Sequence, residues 1–284
     1  MTAEPNMRVR GPIEVNTDSI GTERRLTGCA SPSVGSLRWM RETNGILRPR
    51  DRLGLIGQGV LFLLRGAPAE LRRALGLGSA RLARFDLARL RVPDSPASRE
   101  AEKLCAQVPP IVNHSYRSYV WAVILAARDG IKYDDELLYV ASLLHDIAFA
   151  EPPQYPDARP RCFLAACAEA ALKLGASIGW EERRAEAAAE AITLHANLYV
   201  GLKDGPEAYL LYAGARLDQT GFRYGDLHPD TVRAVLQRYP RQSWKRACCE
   251  MMGKQALAAP GSRVHLYTRY LAGNSFIMRA PFED

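Results

Sequence analysis

The chain has only five histidines among 284 residues, no lysine before Lys103, and no Cys-x-x-Cys pair. Each scarcity excludes something. The six cysteines (Cys29, Cys105, Cys162, Cys167, Cys248, Cys249) lack zinc-ribbon spacing, and adjacent Cys248 and Cys249 suit no ordinary disulfide framework. A reducing, cytoplasmic setting is therefore the expectation. The most apolar stretch, Val60 to Leu64, stops at Arg65, far short of the ~20 residues that a membrane span needs. No apolar segment of signal-peptide length opens the sequence, so secretion is not expected.

What is present is ordinary globular composition, 47% hydrophobic and 24% charged, which excludes a fibre or a wholly disordered chain. The formal net charge of +7 is unevenly placed: residues 1–100 set 17 arginines against 10 acids, while residues 101–284 balance 21 against 21. Such an arginine excess can serve nucleic acid or an acidic membrane surface. No aromatic platform interleaves it and no nucleic-acid motif accompanies it, so no specific nucleic-acid partner is expected.

Residues 1–45 mix Gly, Pro, Ser, Thr and Arg with isolated hydrophobics, a pattern expected of a disordered tail. Residues 46–92 read as a basic helical extension, with helical stretches at Ala69–Leu75 and Ala80–Phe85. Pro93 and Pro96 then punctuate the chain, and the main domain, 93–284, is expected to start there. Beyond that point no Val/Ile/Thr alternation predicts a sheet, and the expected class is all-α. Helices are predicted near 113–128, 136–147, 161–174, 181–197, 207–220, 230–238, 242–258 and 264–272. Gly130 stops the first of these, and Asp134 and Asp135 cap the second.

The histidines are His114, His145, His195, His228 and His265. His114 opens one predicted helix, and His145 is followed directly by Asp146 at the end of the next. A buried imidazole or carboxylate is unfavourable unless hydrogen-bonded or metal-bound. Imidazole and carboxylate together suit a divalent first-row metal. Asp218 is the only acid in Leu210–Asp218 and can bring a further carboxylate from a later helix of a bundle. Buried polar groups holding no metal are the alternative. His195 is a candidate proton shuttle, substrate partner, further ligand or satisfied core histidine. His228 and His265 read as structural, and Tyr116, Tyr119 and Trp121 as core. Arg117 can face an anionic substrate or pair with an acid; Phe149, Asn197 and Gln219 are further pocket candidates. The proline-rich stretch 149–160 is either a rim over the site or a connector.

The order His114, His145-Asp146, Asp218 resembles the H…HD…D signature of the HD superfamily of metal-dependent hydrolases. Asn113-His114-Ser115-Tyr116-Arg117-Ser118 and Asp135-Glu136-Leu137-Leu138-Tyr139-Val140-Ala141-Ser142-Leu143-Leu144-His145-Asp146 are similar to its cyanamide hydratase-like branch. The resemblance runs from about residue 92 to 241. It implies an HD-domain helical bundle holding one divalent metal, zinc first and iron or manganese as alternatives, on His114, His145, Asp146 and Asp218. Two-metal relatives carry more histidines between the dyad and the last aspartate, where this chain has only His195, so a single ion is expected. The implied chemistry is attack of metal-activated water on a small nitrile-like substrate such as cyanamide, with Asp146 and His195 as catalytic groups. A nucleotide or other phosphate-ester hydrolase is the second expectation, and a silent binding module the third. The sequence sets no oligomeric state.

Overall fold

The sharpest local signals lie at helix ends. Ser95 and Ser98 form a reciprocal capping box with Pro96 in the first turn, so the proline that punctuates the sequence begins a helix, α3 (Pro96–Ala106). Gly130 takes a left-handed conformation, φ 67°, to close α4 (Val112–Asp129). Asp134 accepts the amide of Leu137 at 3.0 Å and starts α5 (Asp135–Leu144), whose first turn is acidic as the helix dipole favours.

The computed structural model describes residues 32–60, 82–153 and 159–283. Among them it is all-α, with two isolated β-bridges and no strand. After α5 follow α6 (Phe163–Ser177), α7 (Glu182–Leu194), α8 (Pro206–Thr220), α9 (Pro229–Arg238), α10 (Trp244–Ala258), α11 (Arg263–Tyr270) and α12 (Gly273–Met278). α4 packs along α8 and α6 against α7, while α5 touches α4, α7 and α8. The core gathers Trp121, Ile124, Leu125, Leu138, Leu143, Ile192 and Leu211, all fully buried. Gly214 lets α8 approach α4 closely, since a Cβ there would run into the Ser118 carbonyl. One turn further along α8 stands Asp218.

Two expectations about the N-terminal third need correction. The tail expected through residue 45 includes α1 (Leu37–Thr43), capped by Ser36 and closed by left-handed Asn44; residues 1–31 lie outside the described residues. Val34, Leu37, Trp39, Met40 and Leu47 are buried, and Trp39 Nε1 donates to Asp51 at 3.1 Å. A seven-residue helix is too short to show a period, so tertiary burial and not local pattern orders it. Residues 49–60, labelled α2, are helical. The helix expected at Ala80–Phe85 is absent over residues 82–86: Ala83 donates to Asp226 O at 2.7 Å and accepts from His228 N at 3.0 Å, a bridge that claims its backbone. The stretch expected at Ala69–Leu75 lies outside the described residues. No helix among the described residues is long and apolar enough to cross a membrane.

Candidate metal centre

α4 and α5 carry the first half of the site. His114 lies in the first turn of α4, while His145 is the C-cap of α5, where the chain turns and presents His145 and Asp146 in succession. His195 is likewise a C-cap, that of α7. Helix ends release side chains from the helical surface, which lets neighbours of different helices converge.

The three imidazoles share one polarity. His145 Nδ1 lies 2.7 Å from Ser142 O, His195 Nδ1 2.6 Å from Ile192 O, and His114 Nδ1 2.7 Å from Asp218 Oδ2. Carbonyl and carboxylate oxygens only accept, so each Nδ1 carries a proton, and in the neutral ring this leaves the Nε2 lone pair free. His114 Nε2 and His145 Nε2 are 3.2 Å apart, and Asp146 Oδ2 is 3.6 Å from the first and 3.4 Å from the second. All three residues are buried. Lone pairs facing each other in a dry site repel unless a cation lies among them. Donors bound about 2.0–2.1 Å from one ion at tetrahedral angles stand about 3.4 Å apart. The nitrogen and oxygen donors His114, His145 and Asp146 therefore fit a divalent metal in both chemistry and spacing.

His195 stands at the edge of this group, its Nε2 3.7 Å from Asp146 Oδ1 and its ring edge-on to His145. Burial, and after it the neighbouring His145, pushes His195 down to about 3, which keeps the ring neutral. His114 is also lowered by burial, with Asp218 countering in part.

Asp218 differs from its expected place among the ligands. Its carboxylate is fully buried and occupied: Arg117 Nε and Nη2 donate to its two oxygens at 2.7 and 2.9 Å, Trp121 Nε1 donates at 3.1 Å, Arg241 Nη1 at 3.3 Å, and His114 Nδ1 at 2.7 Å. Burial alone would raise its pKa; the Arg117 guanidinium, followed by His114, outweighs this and holds it well below the usual carboxylate range. Asp218 thus orients His114 from behind and is not one of the three converging groups.

The pocket candidates are turned to other partners. Arg117 is consumed by Asp218 and by the Tyr239 and Pro240 carbonyls, the acid-pairing alternative of its two sequence readings. Phe149 packs on Phe163, Gln219 donates to Cys248 Sγ at 3.3 Å, and Asn197 binds Val34 O and Arg263. His228 and His265 each accept a backbone amide near a helix start. Of the stretch 149–160, residues 154–158 lie outside the described residues. Sequence reasoning missed Trp244, which stacks on the His114 ring at 4.1 Å, and Arg241. No local pattern marks either, because both meet the site only through the packing of the C-terminal helices. A cavity of about 210 Å³ lies against His114, Arg117, Arg241, Gln242 and Trp244.

The HD domain family matches residues 111–237, the span from the start of α4 to the end of α9. Cyanamide hydratase DDI2 and cyanamide hydratase DDI3 of Saccharomyces cerevisiae are each 29% identical to this chain over 157 residues, 54% of this chain and 69% of the relative. The histidine–aspartate dyad, the partner His114 and the buried Asp218 all lie inside the matched span, so residues 111–237 carry the match to the HD domain, and this part of the chain is similar to the two cyanamide hydratases.

Proposed function

We propose that this protein is a metal-dependent hydratase that adds water to a small, uncharged nitrile-like substrate, of which cyanamide is the first candidate. The observation that carries the reading is the shared polarity of the imidazoles, whose Nε2 lone pairs face one another and the Asp146 carboxylate. His114, His145 and Asp146 would hold the ion, zinc by donor type, with iron or manganese accepted by the same donors. When bound, the ion supplies Lewis acidity and makes a water molecule acidic near neutral pH.

The protein's own groups complete the chemistry. His195 Nε2, unprotonated because Nδ1–H is committed to Ile192 O, accepts a proton from the attacking water. The water oxygen forms its bond to the nitrile carbon as one π bond of C≡N opens, and His195 returns the proton to the nitrogen. The imidic acid so formed moves its hydroxyl proton to the same nitrogen as C=O forms, and the sum is one water added across the triple bond, which gives an amide, or urea from cyanamide. Asp146 holds its two oxygens between the paired imidazoles and His195, and Asp218 fixes His114. Arg117 and Arg241, which line the cavity beside His114, both donate to Asp218, an arrangement that supports a neutral substrate over a phosphate ester.

Metal analysis of the purified chain, with His145→Ala and Asp146→Ala variants, tests the ligands. A folded wild type that takes up no divalent metal would refute them. Assays of the metal-loaded protein on cyanamide, simple nitriles and a nucleotide panel test the substrate class, and turnover of phosphate esters alone would overturn the hydratase reading.

A further inference from the structure

Arg263 is fully buried, yet the acceptors it meets are neutral oxygens. Nη1 donates to Asn197 Oδ1 at 2.5 Å and Nη2 to Thr193 O at 2.9 Å. These two acceptors lie two residues before and two after His195, so the guanidinium grips both ends of the turn that carries it. Asn197 passes the grip on, donating through Nδ2 to Val34 O at 2.8 Å. Gly35, at φ +86°, lies so close that a Cβ would strike both Asn197 and Arg263. Trp39 of α1 faces the guanidinium, its ring centroid 5.4 Å from Cζ. Val34, Gly35, Trp39 and Arg263 all fall outside the 111–237 family match. Placing a cation in a dry interior without a carboxylate is expensive, and packing alone would be served better by an apolar side chain.

We infer that Arg263 is a positioning residue for His195: segments on either side of the HD domain close on the Thr193–Asn197 turn and hold the His195 ring with Nδ1–H on Ile192 O and Nε2 toward Asp146. The inference rests on the role given to His195 above. It adds that the ring's orientation is set from outside the HD domain, by the α11 start and the α1 segment.

Histidine-selective ¹⁵N labelling of the full chain tests this, because five histidines give a tractable ring-nitrogen spectrum and the His195→Gln variant assigns the signal. In the wild type, His195 is expected as one Nδ1–H tautomer. In Arg263→Met and in Asn197→Ala, with helix content unchanged by circular dichroism, that signal should shift toward the average of the two tautomers, which a purely structural role for Arg263 would not produce. A single unshifted Nδ1–H tautomer in both folded variants would overturn the inference. Should Arg263→Met fail to fold, Asn197→Ala decides alone, since it cuts the same grip and leaves the cation in place. A wild type whose His195 carries its proton on Nε2 refutes the role given to His195 itself, and the inference with it, before any variant is made.

Discussion

Replacing Asp218 by Asn is the most informative single change, because the two side chains have nearly the same shape and differ in charge. In the native site the carboxylate faces the fully buried Arg117 in a two-pronged pair at 2.7 and 2.9 Å, and also accepts from Trp121 and His114. An amide retains one acceptor oxygen and presents an NH₂ toward donors. The Arg117 cation, 0% exposed, then has one amide oxygen and the Tyr239 and Pro240 carbonyls as acceptors, and no anion to pair with. Breaking a buried pair from one side destabilises by about 3–5 kcal/mol, against a total of about 5–15 kcal/mol for a typical protein. At about 2–4 °C per kcal/mol the melting temperature should fall by roughly 6–20 °C. The measurement is urea unfolding of chelator-treated wild type, Asp218→Asn, Arg117→Met and the double variant, so that metal uptake does not enter the difference. Removing Arg117 once Asp218 is neutral relieves the unpaired charge, and the double variant should lose less than the sum of the singles, with a coupling of about 1–3 kcal/mol. A loss under about 1 kcal/mol for Asp218→Asn, or strict additivity, would show that the pair does not hold this end of α8 to α4.

Other outcomes follow from the same geometry. Gly214→Ala places a methyl against the Ser118 carbonyl, a backbone atom that cannot swing away; stability should drop by about 1–3 kcal/mol despite the helix-favouring alanine, and zinc should bind more weakly as Asp218 moves off His114. Zinc added to chelator-treated protein should raise the melting temperature with zinc concentration, and His145→Ala should abolish that rise. Burial alone would raise the Asp129 carboxyl, but Arg223, with Arg128, outweighs it and leaves the pKa below its ordinary value. A lowered folded-state pKa contributes stability that is complete above the unfolded value of about 3.9 and is lost as pH falls through the folded value. Asp129→Asn should therefore flatten the acid limb of a melting-temperature profile between neutral pH and about pH 3.

The signals that could be read along the chain are those that act over a few residues. Gly130 and Asp134 mark their helix ends because capping is a matter of one side chain and one nearby amide, whereas Pro96, read as a break in the chain, begins α3. His114, His145 and Asp146 are legible for a related reason: their residue types are rare in an apolar helical context, and a dyad at a helix end has few uses. Asp218 is legible as a site residue but not in its role, since the choice between touching a metal and fixing His114 depends on where Arg117, Trp121 and Arg241 aim their donors. Of the pocket candidates Arg117 lines the cavity beside His114, whereas position along the chain does not say where Phe149, Asn197 and Gln219 aim. Asn197, two residues from His195, leaves the helix end in a different direction, toward Val34 and Arg263.

By itself, the sequence determined an all-α chain and most of its helix boundaries after residue 112, and it named four candidate ligands, of which the structure draws His114, His145 and Asp146 together, because periodicity, capping and ligand chemistry are local properties. Only the tertiary structure decided which nitrogen of His114 is free, through the Asp218 carboxylate 104 positions away, whereas His145 and His195 each meet a carbonyl three residues back at their own helix end. It also decided that the segment around Trp39 belongs to the core and that Arg263 reaches the His195 turn, contacts between residues far apart in sequence, 70 positions in the case of Arg263 and Thr193. Such pairings leave no trace in local composition, since they arise from helices packing and from buried polar groups having to find partners.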